Sequence, residues 1–353
     1  MAMTAIGASR VYQDWRCGVG EISLPSPFGW FAIGQSSDFA PGEAKPAHWF
    51  DQDLVVFRAE DGTIAALDAY CPHMGAHLGY GGTVKDGTLE CPFHGWRWAG
   101  DGSCLAVPYG RRGVPKIRAG AVPVVEQDGV VLLWRGQGEP TWYLPPLLDE
   151  GQWSPTTVTR RTLTSHPQEI LENITDFAHF LFVHKSHMIE PISEVSADGN
   201  VFTYRAQSAP EAVDPDVRID AIPVEGGVFA YGPGLGVNTM TAQEVPVPQL
   251  TRVYITPIND REITLLCMVN IRIDENTDEA AAEALMPVIS AAVFDQIDAD
   301  LVIWGHKRYV EHPVFQNPQE RMIGAFRRWF TRFYDDPSSP TTASQPLAQA
   351  TPA

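Results

Sequence analysis

The sequence is short of cysteine, of positive charge and of long apolar runs, and each shortage removes a class of protein. Five cysteines in 353 residues, at 17, 71, 91, 104 and 267, are odd in number and sparse for a secreted disulfide framework, so those that matter are metal ligands or buried thiols. Basic residues number 25 against 43 acidic, a net charge of −18. Such a surface repels phosphate backbones and anionic headgroups, which argues against a nucleic-acid partner. No run of about 18 apolar residues suggests a membrane span, and the N-terminal stretch lacks the apolar core and cleavage site of a secretion signal; the expectation is a cytoplasmic protein. Nucleotide loops are missing too. Gly232-Pro233-Gly234-Leu235-Gly236 does not fit the dinucleotide fingerprint and reads as a turn or bulge near a pocket.

What is present is a core-forming composition, 44% hydrophobic with ten tryptophans, in a chain of about two domains. The first part reads as all-β: β-branched and aromatic runs such as Leu54 to Phe57 and Val130 to Trp134 alternate with Asp-Gly turns at 61, 86, 101 and 128. The proline-rich stretch Pro140 to Pro146 suits a connection. Domains are therefore expected at 26–145 and 150–335. In the second, Arg160 to Thr164, Val201 to Ala206, Val217 to Ile222, Leu250 to Ile255 and Glu262 to Ile273 read as strands, and Gln168 to His184 and Glu279 to Val310 as helices. The class is α+β, an antiparallel sheet with helices on one side. Residues 337–353, rich in Ser, Thr, Pro, Gln and Ala, are expected to be a disordered tail.

Two constellations carry chemistry. Cys71-Pro72-His73 is followed, after seventeen residues, by Cys91-Pro92-Phe93-His94. Each half offers one thiolate and one imidazole, whereas structural zinc usually takes a Cys pair and then a His pair. The spacing suits a [2Fe-2S] cluster with two thiolates on one iron and two imidazoles on the other, a centre that accepts an electron more readily than an all-cysteine one. A zinc-stapled loop pair is the bland alternative. Cys17, Cys104 and Cys267 have no His at ligand spacing and read as small buried hydrophobes.

The second constellation is Asp176, His179 and His184. Asp176 and His179 share a helix face, but His179 and His184 are five apart, about 140° out of register, so a helix end, kink or π-bulge is needed for both to reach one ion. A carboxylate would complete a facial triad for Fe(II) with positions open for O2. Of Asp295, Asp298 and Asp300, only Asp300 lies in the apolar stripe of Met286, Ile289, Val293, Ile297 and Trp304, at about −20° from Val293; the other two face away. A carboxylate aimed into a core is costly unless paired or metal-bound, which selects Asp300. Without a metal, the two histidines would be satisfied core residues. Asn173 reads as a helix-start cap, and Asn173-Ile174-Thr175 as a chance sequon. Phe177, Phe182, Phe229, Tyr231 and Met240 are candidate pocket walls, each with an ordinary core reading. Arg327, Arg328 and Arg332 read as a solvated face.

Cys71-Pro72-His73-Met74-Gly75-Ala76-His77-Leu78 with Cys91-Pro92-Phe93-His94-Gly95-Trp96, and Asp176 with His179 and His184, resemble the motifs of Rieske non-haem iron oxygenases over roughly residues 26 to 335. The resemblance implies a Rieske [2Fe-2S] domain, a helix-grip (START-like) catalytic domain holding mononuclear Fe(II), and a homotrimer. It also implies that Asp176 bridges a cluster histidine, His73 or His94 of a neighbour, to His179, that Asn173 sits beside the iron, and that His77 is not a ligand. His166 to Asn173, Gly75 to Gly79 and Ile303 to Lys307 resemble the 3-ketosteroid 9α-hydroxylase branch and its cholesterol-desaturase relatives, the latter with a membrane span not read here. The expected activity is O2-dependent monooxygenation of an unactivated C–H in a large hydrophobic, steroid-like substrate. Demethylation, desaturation and aromatic hydroxylation are alternatives, as is a Rieske electron carrier with a non-catalytic binding domain. With no flavin or nicotinamide site in the sequence, electrons are expected from a separate NAD(P)H-dependent flavin/iron-sulfur reductase.

Overall fold

A computed structural model of the protein describes residues 24–149, 152–209, 223–242 and 247–336. Cys17, the expected strand at 217–222, the residues at the expected 150 boundary and the tail at 337–353 lie outside them.

Residues 24–149 are all-β. Gly29–Gln35, Val130–Arg135 and Val124–Gln127 form one antiparallel sheet, and Ala44–Trp49, Gln52–Arg58, Ile64–Asp68 and Ala121–Val122 a second. A meander of Thr83–Lys85, Thr88–Glu90, Arg97–Trp98 and Cys104–Ala106 makes the third. The Asp-Gly pairs turn as their chemistry dictates: Asp86 and Gly87, and Asp128 and Gly129, all have positive φ, the backbone that two-residue hairpins need. Arg58 is buried in this part and fully occupied, forked onto Glu126 at 2.7 and 2.8 Å and donating to the Phe39 and Gly62 carbonyls.

The remainder is built on an antiparallel sheet ordered Gln152–Trp153, Glu262–Ile273, Gln249–Pro257, Leu235–Ala242, Val224–Tyr231, Val201–Ser208, Ile189–Pro191, with Thr157–Thr164 also on Glu262–Ile273. The glycine-rich segment is the hairpin turn between Val224–Tyr231 and Leu235–Ala242, where Gly232 takes φ +61 and leaves no room for a Cβ against Trp142. It therefore abuts the seam between the two halves.

The helical segments differ from expectation in two places. Gln168 to His184 is not one helix: α1 (Pro167–Glu172) passes into a 3₁₀ turn at Asn173–Thr175, the chain extends at Asp176, and α2 covers only His179–Phe182. Asp176 and His179 consequently do not share a helix face. The long helix α3 (Glu279–Trp304) ends short of the expected Val310: the chain passes through a turn at Gly305 and His306 and then leaves helical form. By length and composition α3 could cross a bilayer; here it lies along Glu262–Ile273 and Thr157–Thr164. A final helix, α4 (Arg321–Phe330), was not expected.

One sheet face carries Phe202, Tyr204, Val228, Ala230, Ile255, Ile263 and Leu265 against Ile170 and Leu171 of α1, Trp304 of α3 and Phe326 and Phe330 of α4. The opposite face, through Leu235, Val237, Leu250, Tyr254, Leu266 and Met268, packs on Trp30, Leu132 and Trp134 of the N-terminal part. The halves thus share a core.

Candidate functional site

The two Cys-His loops are near-copies. In the first, the Cys71 amide donates to Ala76 O (2.8 Å) and the Gly75 amide to Cys71 O (2.8 Å); in the second, Cys91 donates to Trp96 O (2.8 Å) and Gly95 to Cys91 O (3.0 Å). Both turns close through a glycine at positive φ, +72 and +69, a backbone that side-chain-bearing residues resist. The loops put Cys71 and Cys91 in the core as unbridged thiols and bring the His73 and His94 rings to 4.8 Å. Trp96 stacks on His73 at 4.3 Å, and its indole N–H donates to the Tyr109 hydroxyl at 2.9 Å.

The donor set fits an iron-sulfur cluster. Burial pushes the Cys71 thiol up, and the neighbouring Cys91 adds to it, a cost that ligation to cations reverses. His94 Nδ1 is buried with no hydrogen-bond partner among the described residues, as a ring nitrogen reserved for a metal would be. His77 is engaged elsewhere, its Nδ1 accepting from the Gly79 amide at 3.1 Å.

The second site is assembled from three chain segments. Because α2 ends at Phe182, the chain turns and His184 comes back beside His179, ring centroids 4.9 Å apart; of the possible devices for bringing the pair together, a helix end is the one used. From α3, Asp300 reaches in with Oδ1 3.4 Å from His184 Nε2 and 3.9 Å from His179 Nε2. The three ligand atoms lie within 4.8 Å of one another, a spacing that donors around one ion with bonds of roughly 2.0–2.2 Å can close. Asp298 instead forks onto Arg161 at 2.7 and 2.9 Å, and Asp295 is exposed.

His179 is in the form a metal needs. His179 Nδ1 lies 2.5 Å from the Asp176 backbone oxygen; a carbonyl only accepts, so Nδ1 carries the proton and the Nε2 lone pair faces Asp300. Burial pushes the His179 pKa down, against the pull of the Asp300 and Asp176 carboxylates, and so favours the neutral ring. His184 Nδ1 is buried without a partner among the described residues. Asn173 Nδ2 sits 3.1 Å from His179 Nε2 and donates to Asp300 Oδ2 at 3.3 Å, which places this amide between the imidazole and the carboxylate. The Asp176 carboxylate stands 4.0 Å from His179 Nδ1 with 42% of its side chain exposed.

The candidate pocket residues separate by sheet face. Phe177 is buried against Tyr204, and Met240 packs on the same core as α1 and α3. Phe229 and Tyr231, stacked on one another, point to the opposite face and the N-terminal part. Phe182 is 65% exposed.

Three charged residues near this site, Glu169, Glu172 and Lys307, escape the reading by spacing, and Arg327 departs from it. Arg327 is not on a solvated face: it forks onto Glu172 of α1 at 2.6 and 2.7 Å. Lys307 pairs with Glu169 at 2.9 Å. The available signal was two acids three apart in the otherwise apolar run before Asn173, a pattern costly to bury without cations nearby.

Residues 29–126 match the family described as Rieske [2Fe-2S] domain, and residues 135–334 the family described as 3-ketosteroid 9alpha-hydroxylase C-terminal domain. The chain is 32% identical over 322 residues, 87% of its length and 84% of the relative's, to the 3-ketosteroid-9-alpha-monooxygenase oxygenase component of Rhodococcus rhodochrous. It is 30% identical to a cholesterol 7-desaturase of Bombyx mori, covering 94% and 74%. In fold it is similar to dicamba monooxygenase bound to dicamba, with a TM-score of 0.69 at 18% identity over 87% of this chain and 97% of that one.

Proposed function

Since this chain belongs to the Rieske oxygenases with a 3-ketosteroid 9α-hydroxylase type of C-terminal domain, we propose that it oxidises an unactivated C–H bond of a steroid-like substrate, by hydroxylation or desaturation. It is an O2-dependent oxidoreductase that uses a [2Fe-2S] cluster and a mononuclear iron, and as an oxygenase component it works with a separate reductase. That reductase is NAD(P)H-dependent with flavin and iron-sulfur centres. When bound, the cluster supplies single electrons and the ferrous ion supplies the centre at which O2 is reduced.

In this reading Cys71, His73, Cys91 and His94 hold the cluster, and His179, His184 and Asp300 hold the iron. The observation that carries it is the buried carboxylate of Asp300, 3.4 Å from the His184 imidazole and selected from three aspartates of one helix. Asp176 fixes the His179 tautomer through its backbone, and its carboxylate, which accepts from the His179 amide through Oδ1, keeps 42% of the side chain exposed toward a cluster histidine of a neighbouring subunit. Met74, Tyr80, Phe93 and Tyr109, left open around the cluster loops, form an apolar rim of the kind that a partner covers, which supports the homotrimer.

The test is electron paramagnetic resonance on anaerobic, dithionite-reduced protein before and after nitric oxide, followed by turnover of 3-ketosteroids and sterols with a surrogate reductase. A reduced-cluster signal, a new high-spin nitrosyl signal and a product that gains one oxygen or loses two hydrogens are expected. A cluster signal alone in iron-replete protein would favour the electron-carrier reading.

A further inference from the structure

The mononuclear site has two halves that are far apart in the chain: Asn173 to His184, and Asp300 on α3. What sets their spacing is not the ligands alone. Helix α1, which ends at Glu172, just before Asn173, is six residues long and wholly buried, too short to hold itself in place. Its two acids, one turn apart, face Lys307 on the chain that leaves α3 after Asp300 and Arg327 of α4, which holds that chain in turn. Glu169 pairs with Lys307 at 2.9 Å. Glu172 takes the fork of Arg327, whose Nη1 also donates to Val310 O at 2.6 Å and to Glu311 O at 3.3 Å while its guanidinium lies 4.7 Å over the Tyr309 ring.

We propose that Glu169–Lys307 and Glu172–Arg327 are positioning pairs that fix the distance between the histidine half and the carboxylate half of the iron site. The inference rests on the reading that His179, His184 and Asp300 hold iron. A bidentate guanidinium-carboxylate pair fixes angle as well as distance, and Asn173, the residue after Glu172, hands that placement on to Asp300 by donating to its Oδ2, the oxygen that does not face the histidines. Were stability the only purpose, an apolar pair of similar volume would serve as well or better.

The test uses the full-length, iron- and cluster-loaded protein with Arg327→Lys, which keeps the charge and loses the fork, and Lys307→Met at the more exposed pair. The readouts are the line shape of the ferrous-nitrosyl signal, the rate of iron loss to a chelator, and the thermal midpoint. Both variants are expected to keep the reduced-cluster signal while the nitrosyl line shape broadens or splits and iron leaves about ten-fold faster, the low end of the effect of outer-shell changes. Lys307→Arg should restore the parent line shape. Parent-like nitrosyl spectra and iron retention in both variants, even with a lowered thermal midpoint, would overturn the inference and leave the pairs as stabilising contacts. Should Arg327→Lys not fold, Lys307→Met and its Arg rescue decide alone. Absence of a nitrosyl signal in the unmodified protein would overturn the iron reading itself, and with it this inference.

Discussion

Asp298 and Asp300 stand two residues apart on α3 and have opposite surroundings: the first is occupied by Arg161, the second is 9% exposed and faced by two imidazoles. Asp300→Ala is expected to remove mononuclear iron and abolish turnover while the reduced-cluster spectrum persists; iron and activity retained in that variant would remove Asp300 from the ligand set. Asp298→Ala should cost stability, about 1–3 kcal/mol for a broken and partly buried ion pair, and leave the nitrosyl signal in place. The choice between the two was legible from the helical angle alone, because an apolar stripe has a direction and a carboxylate within it is conspicuous. Arg327 was not legible. Its neighbours Arg328 and Trp329 say nothing of an acid 155 positions earlier in the chain.

At the scale of an element, the segment from His166 to His184 shows what periodicity hides. Its apolar spacing resembles one helix, yet Thr175 Oγ1 donates back to Glu172 O and Asp176 is extended, so the chain breaks just before His179, which His184 then comes back to meet. His166 begins the segment: its Nδ1 accepts from the Gln168 amide and its Nε2 donates to Pro25 O. Burial pushes its pKa from 6.5 down to about 4. The folded protein therefore binds this proton less readily than the unfolded chain, and the stability present above pH 6.5 is lost as pH falls toward 4. The slope is at most roughly 1.4 kcal/mol per pH unit for one group. His166→Asn keeps an acceptor for the cap and does not titrate, so its urea midpoint should fall less between pH 6.5 and pH 5 than the parent's; equal slopes would mean that other groups carry the acid sensitivity.

For the whole molecule, the seam between the halves is a core in its own right. Trp30 and Trp134 meet at 5.4 Å, Thr256 donates to Ala32 O at 2.7 Å, and Arg252, with no exposed surface, reaches across to Asp128 O at 2.8 Å. Trp134→Ala is expected to cost about 3–5 kcal/mol and to lower the thermal transitions of cluster absorbance and far-ultraviolet dichroism together. If only the absorbance transition moved, the halves would be unfolding independently. The local chemistry was legible along the chain: the twin Cys-His loops with their glycines, the Asp-Gly hairpins, the His179 and His184 pair, and the aspartate of α3 that points inward. These are written in spacings of a few residues, where turn geometry and helix angle act directly. Tertiary structure alone decided which sheet face each apolar side chain occupies, since both faces of this sheet are covered and the alternation that would mark an inside is lost; so Phe229 and Tyr231 went to the seam while Met240 went to the side of α1 and α3. It also decided that α1 is tied by Glu169 and Glu172 to the chain beyond Asp300, a choice made by burial of charge between segments more than a hundred residues apart, for which no local pattern exists.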